Sequence, residues 1–390
     1  MKESTTAPPK QLEREVLLHR ITHRIRQSLE LKEILATTAL EVRSVLGTDR
    51  VMVYRFREDG SGKAIAESID NDRLPSLLGL SFPADDIPEK AREMFVKLRV
   101  RSVVDRTANS IARSSLVGEG REDIDDRSLD PCHREYLEAM GVASSLVVPI
   151  LVNEEFTPDD RPRRDPLWGL LVSHHSQPRE ISRADLELVQ MVADGVSLAI
   201  AQSNLLARAR AKSKRDATIT QIATLLHAQP TIELSAALEG TVKALNGIGG
   251  RLFLGADGHL VCWGEQPKRS RQSQLEEFWS QWDLKLAPEV DRIHAIDDIY
   301  IAPYLNPIVP AFLSTSIRGL LVLPLQYRQQ HLGYLSVFRS EVETERLWAG
   351  RFNPREKQQR PRQSFDTWRE KKNAQTQPWM TEDLELATAL

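Results

Sequence analysis

The sequence predicts an α+β fold built from two tandem copies of one unit. Each copy reads as an antiparallel sheet with helices packed on it. A long helix joins the copies, and the second carries a hairpin insertion. Three observations lead there. Similar words recur in the same order. The apolar strand Ser145–Leu151 is answered by Gly319–Leu325, and the glycine-bearing strand Leu167–Val172 by Leu332–Phe338. The helix word Asp185-Leu186-Glu187-Leu188 returns as Asp383-Leu384-Glu385-Leu386. Hairpin signals also recur, with turns at Asp59-Gly60-Ser61-Gly62 and at Ala256-Asp257-Gly258. Finally, a helical pattern runs from Ser182 to about Leu226, with no Gly or Pro after Gly195.

Taken in order, residues 1–30 form an N-terminal helical segment. The spacing of Leu12, Val16, Ile21, Ile25, Leu29, Leu35 and Val42 predicts a helix over 11–47. The first domain spans 31–203. Arg50–Phe56 alternates as a half-buried strand, and Lys63–Ser68 returns from the turn. Ser182 with Asp185 is a variant capping box that opens the long helix. That helix carries Leu186, Val189, Val192, Val196, Ile200 and Leu205, and 204–228 serves as a linker. At 1.5 Å per residue it extends roughly 65 Å, more than one domain's core needs, so it can carry a homodimer interface. Its basic run Arg208–Arg215 reads as a solvated face.

The second domain spans 229–390. Arg251–Leu254 and His259–Cys262 repeat the hairpin, with Cys262 read as core, and Thr381 is taken as the cap of the last helix. The insertion covers about 339–380. It is polar and Arg-rich, yet it contains Trp348, Phe352, Phe365 and Trp368. Disordered segments are poor in aromatics, so this composition predicts an ordered arm that docks elsewhere.

Composition bounds the function. The chain has 390 residues, 41% hydrophobic, with Lys+Arg 52 against Asp+Glu 55 and a net charge of −3. There is no global basic field for nucleic acid and no polybasic membrane patch. No apolar run approaches the roughly 20 residues that span a bilayer. Two cysteines and no signal peptide predict a reducing, cytoplasmic setting.

Chemistry concentrates at Asp130-Pro131-Cys132-His133-Arg134-Glu135-Tyr136-Leu137. A thiol beside an imidazole can be a covalent attachment point, a nucleophile or a metal ligand. Cys132, His133, His174 and His175 lack a convincing metal spacing. Sequence neighbours rarely orient as nucleophile and base, and no third orienting group is evident. Asp86, in Phe82-Pro83-Ala84-Asp85-Asp86-Ile87-Pro88, also reads plainly as a helix N-cap. Tyr54, Phe82 and Tyr136 read plainly as core aromatics.

Together these words resemble the photosensory module of the phytochromes. Phe82–Pro88 is similar to that family's Pro-Ala-Ser-Asp-Ile-Pro motif, with Asp85 where the family usually has Ser. Cys132-His133 with Tyr136-Leu137 and Met140-Gly141-Val142 resembles the bilin attachment motif of plant and cyanobacterial members. Trp168-Gly169-Leu170 leading to His174-His175 resembles a family strand end. Trp348-Ala349-Gly350 and Pro361-Arg362-Gln363-Ser364-Phe365 resemble the tongue of the PHY domain. The resemblance covers nearly the whole chain: a chromophore-binding GAF domain, then a GAF-like PHY domain. Residues 1–30 are too few for the PAS domain that ordinary members carry, which points to the PAS-less, knotless cyanobacterial group.

The resemblance implies a linear tetrapyrrole, phycocyanobilin, held by a thioether to Cys132. Asp86, with Ile87 and Pro88, would face its pyrrole nitrogens. His133 would pack over the pyrroles and His174 would meet the ring D carbonyl. Arg101 and Arg127 fall where the family places its propionate arginines, with Ser145 as a further donor. Tyr54, Phe82 and Tyr136 would line the aromatic walls. On the tongue, Arg362 would pair with Asp86, with Ser364 and Trp348 as further contacts. The implied function is a red/far-red photoreceptor module. It would signal by 15Z/15E isomerisation and tongue rearrangement, through the linker helix, to a C-terminal output domain or partner signalling protein. No output enzyme motif is present, so the chain itself reads as no enzyme. The alternative is a GAF pair that binds a cyclic nucleotide or other small ligand non-covalently.

Overall fold

The computed structural model describes residues 23, 30–98, 101–105, 110–114, 127–128, 131–152, 166–179, 181–227, 234–255, 258–268, 293–328, 330–351 and 365–390. At 101–105, 110–114, 127–128 and 131–133, among others, the description is of backbone alone. The chain packs as two units. One holds the described residues up to Ala207 together with Arg346–Glu370, and the other holds Arg208–Glu345 with Lys371–Leu390.

The first unit opens on helix α1, Leu31–Leu46. Glu30 is extended (φ −92°, ψ 115°) and so interrupts the expected 11–47 helix, of which 11–29, apart from residue 23, lie outside the described residues. The Glu30 carbonyl accepts from the amides of Glu33 and Ile34 and so caps the helix without a side chain. A hydroxyl signal is missing there, so apolar spacing alone does not mark the break. At the other end Gly47 takes the left-handed conformation (φ 57°) and returns its N–H to Arg43 O at 2.8 Å.

Strands follow: β1 Arg50–Phe56, β2 Gly62–Ile69 and β3 Ser81–Phe82. Next come a 3-10 turn at Ala84–Asp86 and α2, Glu89–Leu98. Then β4 Arg101–Asp105, β5 Ser110–Ser114 and β6 Arg127–Ser128 lead to α3, Pro131–Ala139. Strands β7 Ser144–Leu151 and β8 Leu167–His175 complete the sheet. Its order is β3-β2-β1-β8-β7-β4-β5-β6, antiparallel throughout.

Alternation along the strands builds two cores. Val51 and Val53 of β1, Leu146, Val148 and Ile150 of β7, and Leu171 of β8 face α1 and the helix α4, Arg183–His227. Met52, Tyr54, Leu170 and Val172 face the opposite way, toward Phe82, Leu137 and Met140. Helix α4 begins as expected, with the Ser182 hydroxyl accepting from the Asp185 amide at 3.2 Å. Its 45 residues make it about 68 Å long.

The second unit repeats the plan. Helix α5, Leu234–Ala244, precedes the hairpin β9, Gly249–Leu254, and β10, His259–Gly264. Then come β11 His294–Ile296, β12 Ile317–Tyr327, β13 Gln330–Ala349, β14 Thr367–Thr376 and α6 Thr381–Ala389. The sheet order β10-β9-β13-β12-β11 matches β2-β1-β8-β7-β4 strand for strand. The glycines of the repeated strand have one cause. A Cβ on Gly169 would overlap the Tyr54 carbonyl, and one on Gly333 would overlap that of Phe253.

The structure corrects two readings here. Cys262 is exposed, not core: among the described strands β10 pairs only with β9 and lies at the sheet edge. The cap of α6 is Met380 rather than Thr381. The Asp383 carboxylate accepts from the Met380 amide at 3.0 Å, so the acidic half of a capping box works alone. The insertion is a hairpin: β13 runs through 20 residues to Ala349, and β14 pairs back on it.

Candidate functional site

The inner face of the first unit's sheet gathers unlike side chains. Strand parity puts Arg50, Met52 and Tyr54 of β1, His174 of β8 and Ser145 of β7 on one side. Arg50 pairs with His174 across one strand boundary, and Ser145 with His174 across the next. All three are buried, Arg50 at 0% exposure. The Tyr54 ring meets Phe56 edge-on at 5.1 Å and Phe82 at 5.6 Å. Gly62 leaves the room, since a Cβ there would overlap the Tyr54 ring.

At the polar end, Arg50 Nη2 lies 2.7 Å from His174 Nδ1, and Nη1 donates to Pro75 O at 2.6 Å. Burial pushes the Arg50 guanidinium down to about 10, while Glu67 and the Tyr136 phenol favour its charge. Its Nε is buried without a hydrogen-bond partner among the described residues. Next to it, Asp49 Oδ2 accepts from the Ser176 amide at 2.7 Å and hydroxyl at 2.6 Å, and lies 2.8 Å from His175 Nδ1. Burial works to raise the Asp49 carboxyl. The Ser176 hydrogen bonds and the charges of His175 and Arg73 outweigh it and hold the carboxyl below its usual range.

The other wall comes from the 3-10 turn and α3. Asp86 is half-buried, and its Oδ2 accepts from the Tyr136 hydroxyl at 3.3 Å. Helix α2 starts only at Glu89, with the Pro88 carbonyl receiving the amides of Ala91 and Arg92, so Asp86 is not its N-cap. Ile87 packs partly buried against the inner core, whereas Pro88 is exposed. Cys132 and His133 lie in the first turn of α3, with Tyr136 one turn after Cys132. Their side chains, and those of Arg101 at the start of β4 and Arg127 at the start of β6, lie outside the description.

The ends of the inserted hairpin reach this same unit. Trp348 is 3% exposed, pairs in parallel with Ser81 and donates from Nε1 to Glu370 at 2.8 Å. Ala349 and Phe365 join the inner core, where Phe365 meets the Tyr136 ring edge-on at 4.9 Å. Arg346 Nη1 lies 3.3 Å from Asp59. Arg362 and Ser364 lie outside the described residues. Sequence reasoning missed Arg50 and Asp49. Asp49 precedes an obvious strand and Arg50 opens it, and a buried charge cannot be told from a surface one by pattern alone.

The residues present fit a flat conjugated group with a polar edge. Tyr54, Phe82 and Tyr136 would supply walls, Asp86, Ser145 and His174 would supply polar contacts, and Arg50 Nε is a buried donor with no hydrogen-bond partner among the described residues.

Comparison with known proteins bears on the family and its domains. A GAF domain model matches residues 30–200, and a phytochrome region (PHY) model matches 249–390. Cyanobacterial phytochrome B from a Nostoc species is 28% identical over 389 residues, covering 93% of this chain and 46% of that protein. The chain thus spans about half the length of the curated relatives it matches. Bacteriophytochrome RpBphP3 from R. palustris shares the fold at 22% identity and a TM-score of 0.66, over 99% of this chain and 75% of that one. A cyanobacterial phytochrome GAF domain solved with phycocyanobilin is 55% identical, covering 49% of this chain and 96% of that one, with a TM-score of 0.42. With its GAF domain followed by a PHY domain, this chain belongs to the phytochromes, as a photosensory module of that family.

Proposed function

We propose that this chain is the red/far-red sensory module of a photoreceptor that carries phycocyanobilin on Cys132. The observation that carries the reading is the inner sheet face, where Tyr54, Phe82, Ser145 and His174 converge opposite Asp86 and Tyr136. Attachment is an addition. Cys132 would hold the group through a thioether, its sulfur adding to the ethylidene carbon of ring A with a proton delivered to that ring and nothing expelled. When bound, the bilin supplies red absorption and 15Z/15E isomerisation about its C15 methine.

The protein's part is to hold that group and to read its shape. The carbonyl of Asp86 accepts from pyrrole N–H groups, and His133 covers them. Arg101 and Arg127 pair with the propionates, a task that suits a bidentate guanidinium. His174 donates to the ring D carbonyl, while Tyr54 and Phe82 bound the space in which that ring turns. Arg362 pairs with the Asp86 carboxylate in one photostate and leaves it in the other, so the hairpin is a two-state element biased by the isomer. Helices α4 and α6 carry the change to an output domain or partner protein, with the exposed face of α4 available to a second copy. The domain limits of this reading are 31–203, 204–228 and 229–390, in a cytoplasmic protein.

Co-expression with bilin-synthesis enzymes tests it. The denatured wild type is expected to fluoresce with zinc on a gel, and Cys132→Ala to lose the band. The native protein is expected to show a reversible red/far-red difference spectrum. A colourless wild type overturns the reading in favour of a non-covalent small-ligand GAF pair.

A further inference from the structure

We propose that Arg50 is a positioning residue that holds His174 as the neutral imidazole with its proton on Nε2. The ring then offers a hydrogen-bond donor, and no acceptor, to whatever lies against that nitrogen.

The argument is one of inventory. A guanidinium has five N–H donors and no acceptor. Arg50 Nη2 sits 2.7 Å from His174 Nδ1, so Nδ1 must supply the lone pair. A neutral imidazole that accepts at Nδ1 carries its proton at Nε2. The imidazolium is disfavoured twice: it has no lone pair at Nδ1, and it would place a second positive charge against the first. The lock is rigid at both ends. Arg50 and His174 are directly paired residues of β1 and β8. Both are buried, and the other arm of the guanidinium is tied to Pro75 O at 2.6 Å. Burial lowers the Arg50 guanidinium only to about 10, so it stays charged at neutral pH.

The consequence rests on the bilin reading. The terminal ring of a linear tetrapyrrole is a lactam, with a carbonyl on one side of its nitrogen and an N–H beside it. A locked Nε2–H donates to the carbonyl and has no lone pair for the N–H. Arg50 therefore makes His174 selective for one orientation of that ring. An unlocked histidine could exchange tautomers and serve both orientations.

The lock is measured without pigment, on ¹⁵N-histidine-labelled apo-protein at pH 7. The His174 ring is assigned by its loss in His174→Gln. The expected result is an unprotonated Nδ1 and an N–H at Nε2 as the single form. Arg50→Met is expected to lose that single form and show an Nδ1–H population. Arg50→Gln, which keeps an N–H donor without the charge, is expected to restore it. An Nδ1–H or imidazolium form in the wild type overturns the proposal, as does an unchanged Nε2–H form in Arg50→Met. Should Arg50→Met not fold, the wild-type form and Arg50→Gln decide between the same outcomes. With pigment loaded, Arg50→Met is expected to keep zinc fluorescence and lose photoconversion yield. A locked tautomer in a wild type that never takes pigment supports the lock and overturns the bilin reading, so the two failures are distinct.

Discussion

Among single residues, the least visible ones organise the candidate site. Asp49 and Arg50 sit side by side in sequence yet serve different histidines, Asp49 facing His175 and Arg50 facing His174. His174 and His175 are successive residues of β8 and so point to opposite faces, which separates the two polar networks. The Asp49 carboxyl titrates below its usual range in the folded protein. A depressed folded value contributes stability that is present above the unfolded value of about 3.9 and is lost as pH falls through the folded one. Acid unfolding of the wild type is therefore expected to steepen below about pH 4, and Asp49→Asn to flatten that part of the profile. Circular dichroism against pH for both proteins checks this; parallel profiles would remove Asp49 from the account.

Among elements, the hairpin insertion is the informative one. Its length and its aromatics predict an ordered arm, and Trp348 and Phe365 show what two of those aromatics do. Both are buried in the first unit although they belong to an excursion from the second unit's sheet. Phe365→Ala would remove the edge-on contact with Tyr136, worth about 0.5–1.5 kcal/mol beyond the area it buries. Faster amide exchange is expected at 347–350 and 366–370, with that of α1 left unchanged. Protection that stays unchanged at 347–350 would mean that Trp348 and Ala349 hold the arm without Phe365. Periodicity placed the strands of β7, β8 and β12 within a few residues. It did not mark the break at Glu30, because a carbonyl cap leaves no mark on side-chain composition.

For the whole molecule, the 45-residue helix α4 is one of the covalent connections between the units, the two strands of the hairpin being the others. Ala209 is exposed in it, so proline there breaks the helix at a cost of about 3 kcal/mol without touching either core. Ala209→Pro is expected to keep the red/far-red spectrum of the loaded protein and to lose light-dependent amide exchange in β9–β14. A light response in those strands that survives the proline would route the signal through the hairpin alone.

The sequence by itself determined the repeat, the strand and helix types, the long connector and the family. Those depend on local periodicity and on words whose order survives without coordinates. Tertiary structure alone decided which residues share the inner face. It set Arg50 against His174 across 124 positions and Tyr136 against Asp86 across 50. It also sent Cys262 to a solvent-facing edge and Phe365 into a core. The physical reason is that burial and pairing are properties of strand order and register, and these are settled only when distant segments meet.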